Sequence, residues 1–147
     1  MNNIPTNLNS VKLPKELRRD LNHERYIADD GNLFTEQSFH EQLDSYDHFD
    51  ILTYSITPMY IFTARPIHRL LYHVGNVPKT TKRAIQVSGT HAKLWICYRS
   101  PNDKFPDIFI GSANATEMTL HEILIRATGK QANPLFDHFN RIWQLNS

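Results

Sequence analysis

Two stretches in the second half of the chain decide the fold: His91-Ala-Lys-Leu-Trp-Ile-Cys-Tyr98 and Ile108-Phe-Ile-Gly-Ser-Ala-Asn114. Each contains a run of β-branched and aromatic residues, which predicts a strand over residues 91–98 and another over 108–110. The segment between them, Ser100-Pro-Asn-Asp-Lys104, is typical of a hairpin loop. We therefore expect sheet structure in this half of the chain.

Further strands and helices are predicted on both sides of these stretches. Apolar runs predict strands, while helix caps, early prolines and helical spacing predict helices. The run at residues 67–74 fits either type, because periodicity cannot settle so short a segment. We predict strands at 49–56, 83–87 and 122–126, and helices at 14–21, 36–45, 59–64 and from Asn133 onward, with Pro134 in the first turn.

Strands interleaved with helices indicate an α/β fold, with a mixed central sheet flanked by helices. A length of 147 residues suits one domain, and we assign residues 26–147 to it. Residues 1–25 are polar and form a separate N-terminal segment with a short helix. No 18-residue apolar window and no signal peptide are present, and Cys97 is the sole cysteine, so we expect a cytoplasmic protein without a membrane contact.

The net charge of +1 conceals an uneven distribution along the chain. Residues 29–50 contain seven acidic and no basic residues, whereas residues 65–99 contain seven basic and no acidic residues. A site for a polyanion would therefore have to be local. Lys79, Lys82 and Arg83 are candidates for contacting a nucleic-acid backbone, although a solvated surface explains them equally well.

His91 and Lys93 are the first candidates for chemistry. On a strand, residues two apart leave the same face. An imidazole can attack phosphorus while a neighbouring ammonium holds the phosphate oxygens. Gly111 allows a ligand to approach the backbone, and Ser112 and Asn114 supply short polar groups after a strand.

Glu122 can accept a hydrogen bond from an imidazole N–H and so fix its tautomer. Each piece also has a simpler interpretation, since His-x-Lys often lies on a solvated strand face and Gly-Ser-x-Asn often forms a turn. The combination is more specific than its parts.

Taken together, His91-x-Lys93, then Gly111-Ser112-x-Asn114, then Glu122 resemble the signature of the phospholipase D superfamily. The resemblance covers about residues 84–145. With one motif in a short chain, the protein is most similar to the small bacterial nuclease branch of that superfamily. The resemblance implies a phospholipase D-like single domain with one catalytic motif per chain.

The resemblance also implies a mechanism. His91 forms a phosphohistidine, and the His91 of a second copy protonates the leaving oxygen and then activates water. Lys93 and Asn114 hold the non-bridging oxygens, and neither metal nor cofactor is needed. The site would then be shared by the two subunits of a homodimer.

One departure from the family pattern concerns the acid that often follows the lysine by five residues. That position is Tyr98 here, and the acid is regarded as mostly structural in the family. The spacing from Gly111 to Glu122 is also short. Asp103 and Asp107 are therefore alternative imidazole partners.

The remaining histidines fit no zinc-binding spacing, so we expect no metal site. They are His23, His40, His48, His68, His73, His121 and His138.

The leading hypothesis is a metal-independent nuclease, with DNA favoured over RNA and with restricted specificity or a protein regulator. An inactive nucleic-acid-binding or regulatory module is the alternative from another class. A phosphodiesterase for small nucleotides or lipids is the third.

Overall fold

The computed structural model describes residues 25–29, 32–34, 41–116 and 122–147. The helix expected at residues 14–21 lies outside these ranges, as does the first half of the helix expected at 36–45. Residues 41–43 are helical. In the described ranges, no helix has the length and apolar character needed to cross a membrane.

The described chain forms an α/β fold built on a mixed sheet of eight strands with few helices. Helix α1 is short, Ile61–Ala64, and helix α2 is long, Asn133–Asn146, with a 3₁₀ turn at Gly129–Gln131 before it. The spatial order of the strands is β2-β1-β8-β7-β6-β3-β4-β5. Their bounds are β1 Arg25–Asp29, β2 Asn32–Phe34, β3 His48–Ile56, β4 Ile67–Gly75, β5 Arg83–Gln86, β6 Leu94–Tyr98, β7 Asp107–Gly111 and β8 Glu122–Ala127.

Strand direction divides the sheet into two ends that matter for the site. Strands β3, β4 and β5 are parallel, β6 is antiparallel to β3, and β7 and β8 continue the antiparallel order. We call "top" the end at which β3, β4, β5 and β7 finish and at which β6 and β8 begin. The opposite end is the "bottom".

Alternate residues of the strands bury two cores, one on each face of the sheet. On the first face, α1 packs against the central strands, and the shared core includes Phe49, Ile51, Phe62, Trp95 and Phe109. On the second face, Phe139 and Trp143 of α2 pack into a core that includes Leu52, Leu71 and Ile96 of the sheet. The two cores fix β3, β4 and β6 at the centre of the molecule, so their top ends are held at fixed separations.

Three boundaries differ from the sequence prediction. Strand β6 begins at Leu94 rather than at residue 91, because Leu94 forms the last pair with both Leu52 and Ile110. Helix α1 begins at Ile61, three residues after Pro58. The N-cap of α2 is Ala132 rather than Asn133, which places Pro134 at the second helical position.

The remaining predictions for the described segments are confirmed. Strands occupy the segments predicted at 49–56, 83–87, 108–110 and 122–126, and the ambiguous run at 67–74 is strand β4. Strands β1 and β2 were not predicted. Strand β1 pairs in parallel with β8, so the sheet already includes Arg25, which the sequence analysis placed in the N-terminal segment.

Candidate active site

The residues of the predicted motif come together at the top of β6, β7 and β8. His91 and Lys93 directly precede β6, Gly111 is the last residue of β7, and Glu122 is the first residue of β8. The register confirms their level, since Leu94 pairs with Ile110 and Gly111 pairs with Leu124. For Glu122 the structure describes the backbone position alone, so its role as imidazole partner stays a prediction.

His91 and Lys93 make direct contact although they do not lie on a strand. The prediction that a shared strand face brings them together is wrong, because residues 90–93 are irregular. The Lys93 Nζ nevertheless lies 3.0 Å from His91 Nδ1. His91 is exposed, whereas Lys93 is only 6% exposed. The imidazole therefore faces solvent above a buried ammonium group.

The burial of Lys93 is energetically unusual. Removing an ammonium from water costs several kcal/mol unless a counter-charge compensates it. Among the described side chains, no carboxylate lies within ion-pair distance of Lys93, and its hydrogen bond is to His91 alone. Such a position favours an anionic ligand, because the ligand would supply the missing charge.

The contact also assigns the tautomer of His91. An ammonium group has protons to donate and no lone pair, so His91 Nδ1 accepts the hydrogen bond from Lys93. The proton of the neutral ring is then on Nε2. Attack by Nε2 on phosphorus requires the opposite tautomer, so Lys93 has to release Nδ1 before His91 can act as a nucleophile.

Asn114 attaches the segment after β7 to the end of β3. Its Oδ1 accepts hydrogen bonds from the backbone N–H groups of Tyr54 and Ser55, each at 3.1 Å. The Ala115 N–H donates to Thr53 Oγ1 at 3.0 Å, and Thr57 N–H donates to the Ala115 carbonyl at 3.0 Å. Asn114 thus has a positioning role that the sequence did not predict. Asn114 thereby provides an acceptor for the β3 N–H groups beyond Leu52, where β3 no longer pairs with β6.

Gly111 and Ser112 are exposed beside this anchored segment. Both are therefore accessible at the top of the sheet. Neither is buried in either core, which fits the prediction that this turn faces a ligand.

The basic residues predicted to bind substrate do not join this group. Lys82 and Arg83 are exposed where β5 begins, and Arg83 pairs with Arg69, level with Asp50 near the start of β3. This is the bottom half of the sheet, because the parallel β4–β5 connection returns the chain to the bottom before β5 starts. Lys79 lies elsewhere again, at an apolar cleft of about 190 Å³. That cleft is lined by Pro58, Met59, Phe62, Thr63, Pro78, Lys79 and Thr80, none of which belongs to the motif.

The acids considered as alternatives to Glu122 are also at the bottom. Asp107 is the first residue of β7. Its carboxylate accepts a hydrogen bond from the Tyr46 hydroxyl at 2.7 Å and forms an ion pair with Arg99. Asp103 Oδ2 and Oδ1 accept hydrogen bonds from the N–H groups of Arg99 and Phe105. Both carboxylates are therefore structural, and neither is a partner for His91.

Tyr98, at the position where the resemblance leads us to expect an acid, ends β6 at the bottom of the sheet. Its hydroxyl donates to Asp50 Oδ2 at 2.6 Å, and Arg69 donates to the same oxygen at 2.7 Å. Burial and the nearby Asp50 carboxylate raise the pKa of Tyr98. Tyr98 therefore belongs to a buried network beneath α2, at the end of the sheet opposite the motif.

Two residues at the top were missed by the sequence analysis. The Tyr54 ring, on β3, is close to two imidazoles, with its centre 5.0 Å from that of His91 and 4.9 Å from that of His73. His73 belongs to β4 and its Nδ1 lies 2.9 Å from the Val87 carbonyl oxygen. The signal was available only once residues 67–74 were known to form a strand parallel to β3.

In the portions of the chain that the structure covers, no three His, Cys, Asp or Glu side chains are grouped to share a metal ion. Comparison with known protein families, with curated proteins and with solved structures finds no match to this chain. The phospholipase D resemblance therefore rests on the motif residues and their order in the sequence.

Proposed function

We propose that this protein is a metal-independent phosphodiesterase of the phospholipase D type, that it acts as a nuclease, and that His91 is its nucleophile. The observation that carries the proposal is the contact between an exposed His91 ring and the buried Lys93, for which the described side chains supply no carboxylate. An anion attracted to Lys93 is placed directly beside an imidazole. That pairing suits displacement at phosphorus.

The proposed reaction begins when a phosphodiester binds and its charged oxygen replaces His91 as the hydrogen-bond acceptor of Lys93. Charge-assisted hydrogen bonds to an anionic oxygen are the stronger kind, so the exchange is favourable. The ring then loses its Nε2 proton to solvent and gains one from solvent at Nδ1, where the N–H donates a hydrogen bond to the carboxylate of Glu122. His91 Nε2 attacks phosphorus, the bond to the leaving oxygen breaks, and a phosphohistidine forms.

Two further groups complete the cycle. The leaving oxygen takes a proton from a second imidazole, which the resemblance assigns to the His91 of a second copy. The same imidazole then removes a proton from water as the water oxygen attacks phosphorus. The P–N bond breaks, and the products are an alcohol and a phosphomonoester.

Nucleic acid is the proposed substrate class, with DNA ahead of RNA. The support is the surplus of basic residues between 65 and 99. Part of that surplus is used internally, since Arg69 is paired with Asp50. The exposed cations Lys82 and Arg83 would contact a polymer that extends beyond the cleavage site rather than the scissile phosphate itself.

A cytoplasmic location belongs to the same proposal. Cys97 is buried, and burial raises the pKa of its thiol well above the usual value. A thiol in this state reacts slowly, which fits a protein kept in a reducing compartment.

The second candidate is a phospholipase D-like module that binds nucleic acid without cleaving it. The Lys93–His91 hydrogen bond favours it, because that bond holds His91 in the tautomer that cannot attack through Nε2. The two candidates share a binding site and differ in turnover.

The deciding experiment measures cleavage of supercoiled plasmid and of a labelled single strand in excess EDTA. We expect the wild-type chain to cleave, and His91→Ala to lose activity by on the order of 10³-fold or more, because the nucleophile is gone. His138→Ala is the matched control, since His138 is exposed on α2 away from the motif.

Equal cleavage by wild-type and His91→Ala chains would overturn the proposal, as would cleavage that appears only after metal is added. Binding without cleavage would establish the second candidate. Turnover of a dinucleotide or a phospholipid, with no turnover of polymer, would keep the chemistry and replace the substrate class.

A further inference from the structure

We infer that His73 is the second imidazole of the reaction, so that one chain carries both the nucleophile and the acid. The inference rests on the proposed phosphodiesterase and changes the source of the leaving-group proton. Neither the motif nor the resemblance assigns any role to His73. The position of His73, its tautomer and its distance from His91 support this role.

His73 lies at the same end of the sheet as His91. It is on β4, two residues before Gly75, which ends that strand, and it is partly buried. Its neighbour across the sheet is β3, where the registers Thr53–Tyr72 and Ser55–Val74 place it level with Tyr54. The parallel β3–β4 pair therefore brings His73 to the top, beside the segment that carries His91.

The separation of the two imidazoles suits a group bound between them. Because the Tyr54 ring centre is 4.9 Å from His73 and 5.0 Å from His91, the two imidazole centres lie no more than about 10 Å apart. An in-line displacement needs phosphorus about 3 Å from the attacking nitrogen and the leaving oxygen about 3 Å from the acid. The upper limit of about 10 Å leaves room for a phosphodiester bound beside the partly exposed Tyr54 ring, in reach of both imidazoles.

The hydrogen bond of His73 prepares its Nε2 for proton transfer. A backbone carbonyl can only accept, so His73 Nδ1 carries a proton and donates it to the Val87 oxygen at 2.9 Å. That bond is compatible with both charge states of the ring. It holds the imidazole in one orientation while Nε2 gains and loses its proton.

The surrounding backbone keeps the acceptor in place. Val87 is buried, and its N–H donates to the Tyr72 carbonyl at 2.8 Å. The Gln86 side-chain amide donates to the His73 carbonyl at 2.7 Å. These hydrogen bonds hold His73 and Val87 at a fixed separation where β5 ends beside β4. His91 differs, since its Nδ1 accepts from Lys93 and has to exchange partners before reaction.

The proton balance closes within one chain. His73, as imidazolium, gives its Nε2 proton to the leaving oxygen while His91 bonds to phosphorus. Neutral His73 then takes a proton from water, whose oxygen attacks phosphorus and releases His91. The ring of His73 ends the cycle protonated, as it began.

The first test compares leaving groups with His73→Asn, whose amide can still donate to the Val87 carbonyl. A nitrophenyl phosphodiester needs no acid, because nitrophenolate departs unprotonated. We expect His73→Asn to release a burst of about one nitrophenolate per chain and then to slow, because water activation is lost. Cleavage of unactivated diesters should fall by about 10²–10⁴-fold. His91→Ala should give no burst, and His138→Asn should match the wild-type chain.

The second test does not depend on any His73 variant. Wild-type and His91→Ala chains are unfolded together, refolded at equal amounts, and assayed per total chain. If each chain holds a complete site, activity is half that of the wild type. If the acid is the His91 of a second copy, only unmixed wild-type dimers act, and activity is a quarter.

The outcomes separate this inference from the proposed function. Absence of EDTA-resistant cleavage by the wild type overturns the proposed function itself. Cleavage with a quarter of the activity in the mixture, or with full activity on unactivated diesters in folded His73→Asn, overturns the role of His73 alone. Half activity together with the burst establishes it.

Discussion

Lys93 is the buried cation of the candidate site. Its ammonium is buried, and the part of the chain visible in the structure provides no carboxylate for it. Removing a charged group from water costs free energy, so an apolar residue of similar size is expected to be tolerated at this position unless the charge has a function. The residue therefore separates stability from function in a measurable way.

We expect Lys93→Met to retain or raise the unfolding temperature in buffer while removing the stabilisation that inorganic phosphate or sulfate gives. For the wild type, a ligand at about 100 times its Kd adds about 2.7 kcal/mol to the free energy of unfolding. Thermal unfolding with and without each anion measures both effects. Lys82→Met, on an exposed residue at the bottom of the sheet, is the control and should keep the anion effect. A marked loss of stability in Lys93→Met without anion would contradict this account.

At the scale of the elements, the end of β4 depends on a glycine. Gly75 has φ +115°, and a Cβ built there would lie 2.1 Å from the Ile56 carbonyl oxygen. Gly75 is paired with Ile56 in the parallel ladder, and the Asn76 N–H donates to the Ile56 carbonyl at 3.0 Å. Gly89 also has a positive φ, +81°, but its Cβ position is open.

The two glycines form a matched pair for mutation. Gly89→Ala should cost about 1–2 kcal/mol from backbone strain alone. Gly75→Ala adds a clash with backbone and should cost more than about 3 kcal/mol. Chemical denaturation of both variants measures the difference. Equal costs would show that the end of β4 can move away from Ile56 without penalty.

The same scale shows how far the sequence predicts the fold. Strands β3, β7 and β8 were predictable because their apolar runs are bounded by prolines, glycines or polar loops. The start of β6 was not, because Ala92 and Lys93 continue the strand pattern while Asn114 takes over the hydrogen bonds of β3. Strands β1 and β2 are short, and β1 depends on pairing with the distant strand β8, which no local pattern reveals.

The candidate site was predictable where it is local in sequence. The motif predicted His91, Lys93, Ser112 and Asn114, and in the structure their segments lie at one end of the sheet. His73 is 18 residues from His91, and its approach depends on the parallel pairing of β3 with β4. Lys82 and Arg83 were assigned to the site from charge alone, and charge does not tell which end of a strand a residue occupies.

At the scale of the whole molecule, the bottom of the sheet makes stability depend on pH. The His68 and His48 rings stack with centres 3.7 Å apart, and His48 stacks on Tyr98 at 4.4 Å. Burial is the main cause that lowers the pKa of His68 below 6.5, followed by His48 and Lys82, while Asp50 and Asp47 act in the opposite direction. The unfolded chain therefore binds the proton of this residue more readily than the folded chain does.

The sign of the pH effect follows from that difference. As the pH falls through about 6.5, the unfolded state gains protons first, so the free energy of unfolding decreases until folded His68 is also protonated. We expect His68→Phe, which keeps an aromatic ring for the stack, to flatten this slope. Urea unfolding at a series of pH values between 5 and 8 measures it. A slope unchanged in His68→Phe would assign the pH dependence to other groups.

The strand order also has a consequence for synthesis on the ribosome. Strands β3, β4 and β5 emerge consecutively and can pair at once, but the other side of β3 waits for β6, and the second face of all three waits for α2. Until then, a nascent chain displays Leu52 and Leu71 together with the unpaired edge of β3. Once β6 has emerged from the ribosome it closes that edge, and once α2 has emerged it covers that face, so cellular chaperones have most to bind before β6 emerges.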